Sequence, residues 1–183
     1  MKIKLQNVRL SFPALFKAEA FKPGDDPKFK ATFLIPKGSD LHAQVEKAIL
    51  ETVTVKHGAK AAKLIQQIRN NPNKFCYQDG DLKAYDGYEG MMALSAKNVV
   101  RPLVIDRDRI PLTEADGKPY AGCYVNASVE FFAYDNSGVG VSASVAGVQF
   151  VRDGDAFGGG SAAKADEFDD LGEGADAEDD LPL

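Results

Sequence analysis

The chain has 183 residues, 44% of them hydrophobic and none of them Trp, which suits one ordinary domain with an appendage and excludes two full-sized domains. Its formal net charge of -5 is unevenly divided: residues 1–152 carry 21 Lys/Arg against 16 Asp/Glu, whereas 153–183 carry 11 Asp/Glu against Lys164 alone. A basic body followed by a block of acid points to a polyanionic partner for the body and to a separate role for the tail.

The first residues, Met1, Lys2, Ile3, Lys4 and Leu5, alternate charge with aliphatic groups, so neither a signal peptide nor a membrane span is expected and the cytoplasm is the expected compartment. Ile3 and Leu5 alternate one way while Val8, Leu10 and Phe12 alternate the other, which predicts a first strand that changes face through a bulge near Asn7. Phe29, Ala31, Phe33 and Ile35 predict a half-buried strand that Pro36 ends. Ser39 and Asp40 then cap a helix with Leu41, Val45, Ala48, Ile49 and Val53 at helical spacing as far as Gly58, and a second helix through Ala61, Leu64, Ile65 and Ile68 ends before Pro72.

Period two returns with Met92, Leu94 and Ala96, and Pro102 opens another short apolar run to Ile105. Cys123, Val125, Ala127, Val129, Phe131 and Ala133 form the clearest amphipathic strand, and Asp135, Asn136, Ser137 and Gly138 turn the chain back into Val139, Val141, Ala143 and Val145. Gly147 breaks that alternation before Val148 and Phe150, a second predicted bulge. About five strands with one helical insertion predict a mainly β, α+β domain: a five-stranded Greek-key barrel of the oligonucleotide/oligosaccharide-binding (OB) class. Past Arg152 the composition turns to Gly, Ala, Asp and Glu, so the expected division is a barrel domain over 1–152 and a disordered acidic tail over 153–183.

No motif for catalysis survives inspection. Asp106 and Asp108 are interleaved with Arg107 and Arg109, which would oppose a divalent cation. Asp79, Gly80 and Asp81 open like a calcium loop, but Lys83 and Ala84 stand where an oxygen ligand and the turning Gly are needed. His42 and His57 lack a partner nucleophile and are expected at the surface or as capping groups, and no P-loop or Gly-x-Ser-x-Gly sequence occurs. Cys76 and Cys123 fit no metal-ligand spacing and are expected to be reduced, inert thiols. The expectation is a binding protein without catalytic residues, metal or cofactor.

Binding to unpaired nucleic acid needs cations that follow phosphates and rings on which bases stack. The stretch 74–109 supplies both: Tyr77, Tyr85 and Tyr88 in a region rich in Gly and Asp where a loop would expose rings, then Lys97, Arg101, Arg107 and Arg109. Tyr120 adds a ring beside the long hairpin. These eight residues are the predicted contacts to an unpaired nucleic-acid strand. The chain ends Glu178, Asp179, Asp180, Leu181, Pro182, Leu183, an acidic run closed by an apolar plug with a terminal carboxylate, which fits a small pocket with a basic rim on a partner protein.

That ending resembles the terminal peptide of bacterial single-stranded DNA-binding proteins, with Leu183 in place of the usual final Phe. The whole chain resembles the single-stranded DNA-binding proteins of bacteriophages through 8–16 (VRLSFPALF), 94–108 (LSAKNVVRPLVIDRD), 122–134 (GCYVNASVEFFAY) and the acidic end. The resemblance implies sequence-independent binding in phage DNA replication, recombination and repair, in the host cytoplasm, with no cofactor. The tail is expected to compete with DNA for the basic groove and to recruit replication proteins through Asp179, Asp180, Leu181, Pro182 and Leu183. Two other classes fit the residues: an RNA-binding module of the same fold, since stacking ignores the sugar, and an acidic-tailed interaction or chaperone protein whose binding resides in the tail.

Overall fold

The computed structural model describes residues 1–158 and 168–170. Seven strands are present: β1 (Lys2–Glu19), β2 (Lys28–Pro36), β3 (Tyr77–Asp79), β4 (Met91–Asn98), β5 (Leu103–Ile105), β6 (Tyr124–Tyr134) and β7 (Gly140–Arg152). Five of them close a barrel in the order β1–β2–β4–β7–β6, with β6 pairing back onto β1. The neighbours are antiparallel except at the closure, where Lys97 of β4 meets Ser144 of β7 in parallel and the Asn98 amide donates to the Val145 carbonyl at 2.8 Å. The three-residue strands β3 and β5 extend the sheet from β4 and β7. This is an OB-type barrel, as the strand periodicity predicts.

Both predicted bulges are present. The register of β1 against β6 slips between Leu5 and Val8, with Asn7 at φ 52°, and the register of β6 against β7 slips beside Gly147. Each lets a strand bend while keeping its apolar side inward. The odd-numbered residues of β6 up to Phe131, together with Val141, Ala143, Val145, Val148 and Phe150 of β7, face the core, where Leu5, Leu10, Phe33, Ile35 and Leu94 meet them.

The insertion between β2 and β3 runs α1 (Asp40–His57), one 3-10 turn and α2 (Ala61–Ile68). Ser39 caps α1 by accepting the His42 amide at 3.1 Å, and Gly58 ends it at φ 59°. Val45, Ala48, Ile49 and Val53 of α1 and Ile65 of α2 join the barrel core, and α1 packs against β1, β2 and β6. The insertion thereby leaves the outer face of β1, β2 and β4 uncovered by helix. Composition places a domain boundary after Arg152, yet the described chain stays against the barrel through 153–158, where the Phe157 amide donates to the Ala121 carbonyl at 3.0 Å. Most of the acidic tail, including its terminal peptide, lies outside the described residues.

Candidate nucleic-acid interface

The outer face of β1, β2 and β4 is built in rows set by strand register. Arg9, Leu34 and Ala93 form one row, Ser11, Thr32 and Ser95 the next, and Lys30 stands directly opposite Lys97 in the third. Side chains of the same parity point to the same side, so these rows share one surface, and the first lies about 13 Å from the third along β2. The middle row is short and polar, with Ser11 buried and Ser95 exposed.

At the first-row end, the loop 80–90 folds over the sheet. Tyr88 is buried against Leu34 and Ala93, and its hydroxyl donates to the Ser11 hydroxyl at 3.0 Å. Burial pushes the Tyr88 phenol up from its ordinary value. Tyr88 supports Tyr85 edge-on, with centroids 5.2 Å apart, and Tyr85 in turn meets Phe12 edge-on at 5.0 Å. Phe12 is 51% exposed and Tyr85 53% exposed, so both offer ring faces to solvent. Phe12 reaches this position because β1 slips register against β2 between Ser11 and Ala14, with Phe12 at φ 45°, a left-handed backbone that a bulky residue adopts only at a cost.

At the third-row end lysines and carboxylates are interleaved, with Lys28, Lys30 and Lys97 among Glu19, Asp25 and Asp26. Like charges directly opposite on neighbouring strands repel, and Lys30 and Lys97 are such a pair, with Glu19 offsetting Lys30 at 3.4 Å. Phe21, 76% exposed at the turn between β1 and β2, lies 5.7 Å from the Lys97 ammonium. These side chains, with Lys28, Asp25 and Asp26, line an open cavity of about 320 Å³. The arrangement provides exposed rings at one end, a short polar row between, and at the other end three lysines interleaved with three carboxylates beside one further ring. That is the set of features that holds an unpaired nucleic-acid strand.

Comparisons with known proteins show the family. The family model built on the single-stranded DNA-binding protein of Enterobacter phage Enc34 matches residues 1–182. The chain belongs to that family. A curated relative, putative protein p50 of Acyrthosiphon pisum secondary endosymbiont phage 1, is 56% identical over 173 residues, covering 93% of this chain and 94% of the relative. The Enc34 protein solved in complex with single-stranded DNA is 30% identical, with a TM-score of 0.69 over 86% of this chain and 89% of that one. The gp2.5 protein of bacteriophage T7, 17% identical with a TM-score of 0.57 over 96% of this chain and 98% of that one, shares the fold.

Within this member of the Enc34 family, the contacts expected from sequence separate into groups. Tyr85 and Lys97 stand at opposite ends of one face. Arg101 donates to the Phe16 carbonyl at 3.0 Å, with its guanidinium 5.8 Å from the Phe29 ring. Arg107 and Arg109 are exposed in the turn after β5, a strand that pairs with β7 rather than with β1, β2 or β4. Tyr120 lies under 153–158, its hydroxyl donating to the Asp153 carboxylate at 2.7 Å. Two expectations need correction. Tyr77 is fully buried on β3, its hydroxyl paired with His42 Nδ1 at 2.8 Å, so neither ring face can receive a base. Tyr88 is only 3% exposed and acts as a support beneath Tyr85. His42, expected at the surface or as a capping group, is half-buried in the first turn of α1 and pairs with Tyr77.

Sequence reasoning missed Arg9, Phe12, Phe21, Lys28 and Lys30. Phe12 matches the parity of Val8 and Leu10 and so reads as core, because a bulge that turns one ring outward leaves no mark in the alternation. Lys28, Lys30 and Thr32 do carry a signal: they share the polar parity of β2 and therefore one face.

The remaining acidic pairs are engaged within the fold. Asp106 accepts the amides of Asp108 at 2.8 Å and Ile110 at 2.9 Å, closing its turn. Lys37 bridges Asp79, at 2.5 Å, and Asp81, whose other oxygen accepts the Gly90 amide at 2.8 Å. Lys37 holds both carboxyls below their ordinary value of 3.8. Burial pushes the Cys76 thiol up to about 12 and the Cys123 thiol up to about 11, so neither is an available nucleophile at neutral pH.

Proposed function

We propose that this chain binds single-stranded DNA, without sequence preference, on the outer face of β1, β2 and β4. The observation that carries the reading is one continuous surface with exposed Phe12 and Tyr85 at one end and Phe21, Lys28, Lys30 and Lys97 at the other. Bases stack on the rings, and the lysines, Arg101 and then Arg107 and Arg109 neutralise phosphates. The single-stranded DNA complex of the Enc34 relative favours DNA over RNA as the ligand. The protein acts by binding rather than by catalysis, protecting single strands during phage DNA replication, recombination and repair in the host cytoplasm.

On this reading 1–152 is the binding unit, and the acidic residues of 153–183 compete with DNA phosphates for its cations. Asp179, Asp180, Leu181, Pro182 and Leu183 recruit replication proteins. Titration of fluorescent oligonucleotides tests the proposal. Affinity should fall as salt rises, with residual binding left by stacking, and Lys30→Glu should weaken binding at low salt far more than at high salt. Equal affinity for matched RNA would favour an RNA-binding module, and no affinity for any oligonucleotide would leave an interaction protein acting through its tail.

A further inference from the structure

After Arg152 the chain does not leave the barrel at once. Residues 153–158 cross the first-row end of the face just described. The Asp155 carbonyl accepts from the Arg9 guanidinium at 2.7 Å, and the same guanidinium donates through Nε to the Gly122 carbonyl at 2.9 Å. Phe157 then lays its ring 4.2 Å beneath that guanidinium and packs against the cluster of Leu34, Tyr88 and Ala93. Glycines make the approach feasible: a Cβ on Gly87 would lie 2.4 Å from the Phe157 ring, and one on Gly122 would lie 2.1 Å from the Asp155 carbonyl.

An aromatic ring held between a guanidinium and an apolar floor, packed against the cluster that contains Tyr88, sits in a place suited to a nucleobase. The crossing segment carries two carboxylates, Asp153 and Asp155, followed two residues later by a ring, the chemical features of a short length of single strand. We infer that Phe157 occupies a nucleobase subsite in the DNA-free protein, and that an incoming strand displaces it. This rests on the proposed single-stranded DNA site and adds to it an internal occupant of that site. Once Phe157 lifts, Arg9 keeps its bond to Gly122 and frees the N–H groups that held Asp155, which then face a phosphate. The effect differs from competition by tail charge, because a neutral ring blocks the subsite at any ionic strength.

The test uses the full chain. Phe157→Ala vacates the subsite, and affinity for a labelled oligo-dT should rise about three- to tenfold, as expected when the competent fraction of the protein was about a tenth to a third. The gain should persist at high salt, where charge competition is screened. Since the chain has no Trp, Phe157→Trp provides a single fluorescent reporter, whose emission should shift to the red when oligo-dT binds. Wild-type or weaker affinity of Phe157→Ala, or an unshifted Trp emission while oligonucleotide binds, overturns the inference and leaves the DNA site standing. If wild-type protein fails to bind oligo-dT at all, the site and its occupant fall together.

Discussion

The hairpin of β6 and β7 and the strand β1 solve different problems with the same kind of backbone. In β6, Val125, Ala127, Val129 and Phe131 keep strict alternation and are all buried. In β1, two non-glycine residues, Asn7 and Phe12, take positive φ, and the register slips against both neighbours. The regular hairpin spends its inward side chains on packing and offers little else. The irregular strand gives up local backbone preference and gains an outward ring at Phe12 and an outward guanidinium at Arg9. Strain at a surface aromatic fits the role proposed for Phe12, because packing alone would have turned that ring inward.

The largest expected effect tests the regular half. Val129→Asp places an unpaired charge in the core and should destabilise the domain by more than about 4 kcal/mol, whereas Ser128→Asp, one residue away on the other face, should leave it folded. Thermal melts of the two variants decide this, and equal melting temperatures would contradict the register.

The irregular half should respond in the opposite sense. Tyr85→Ala and Phe12→Gly should each weaken single-stranded DNA binding by about 1 to 3 kcal/mol. Phe12→Gly also removes the left-handed strain, so stability should hold or rise by about 1 kcal/mol. Calorimetric titration and melting of the same samples separate the two readouts. A variant that loses stability without losing affinity would move Phe12 back among packing residues.

The smallest effect concerns the ion cluster under the loop 80–90. Asp79 and Asp81 have lowered values through their bonds to Lys37, so their stabilisation is complete above the ordinary carboxyl range and is lost as pH falls through the lowered values. Lys37 is raised by the same partners, so its part is lost only as pH climbs through that raised value. The stability difference between wild type and Lys37→Met should therefore be level at neutral pH and shrink below about pH 4. Because the cluster is exposed, added salt should reduce it too. A difference that grows on acidification would contradict the assignment.

Much of the barrel was legible because its strands keep one buried side. Cys123 through its alternating partners, the helix capped by Ser39, and the slips near Asn7 and Gly147 are all consequences of where apolar groups must go. The binding face was legible only in part. Tyr77 reads as an exposed loop ring because three residues of strand are too short to show a period, and its burial depends on pairing with β4 and on His42, 35 residues earlier. Tyr85 and Tyr88 are chemically alike and three residues apart, and only the tertiary contact with Leu34 and Ala93 divides them into an exposed ring and its support. Phe157 follows a run that reads as tail, yet it finds its place against residues more than 60 positions earlier.

The closure of β4 onto β7 also affects how copies of this protein behave when crowded. An open sheet presents a row of unpaired backbone groups, on which neighbouring molecules can add strands and aggregate. Here the five long strands close on themselves, and among the described residues the sheet terminates in β3 and β5, three residues each. Those edges are too short to template a growing sheet. Molecules gathered side by side at high local concentration can therefore stay separate and come apart again, so that whatever they cover can be uncovered.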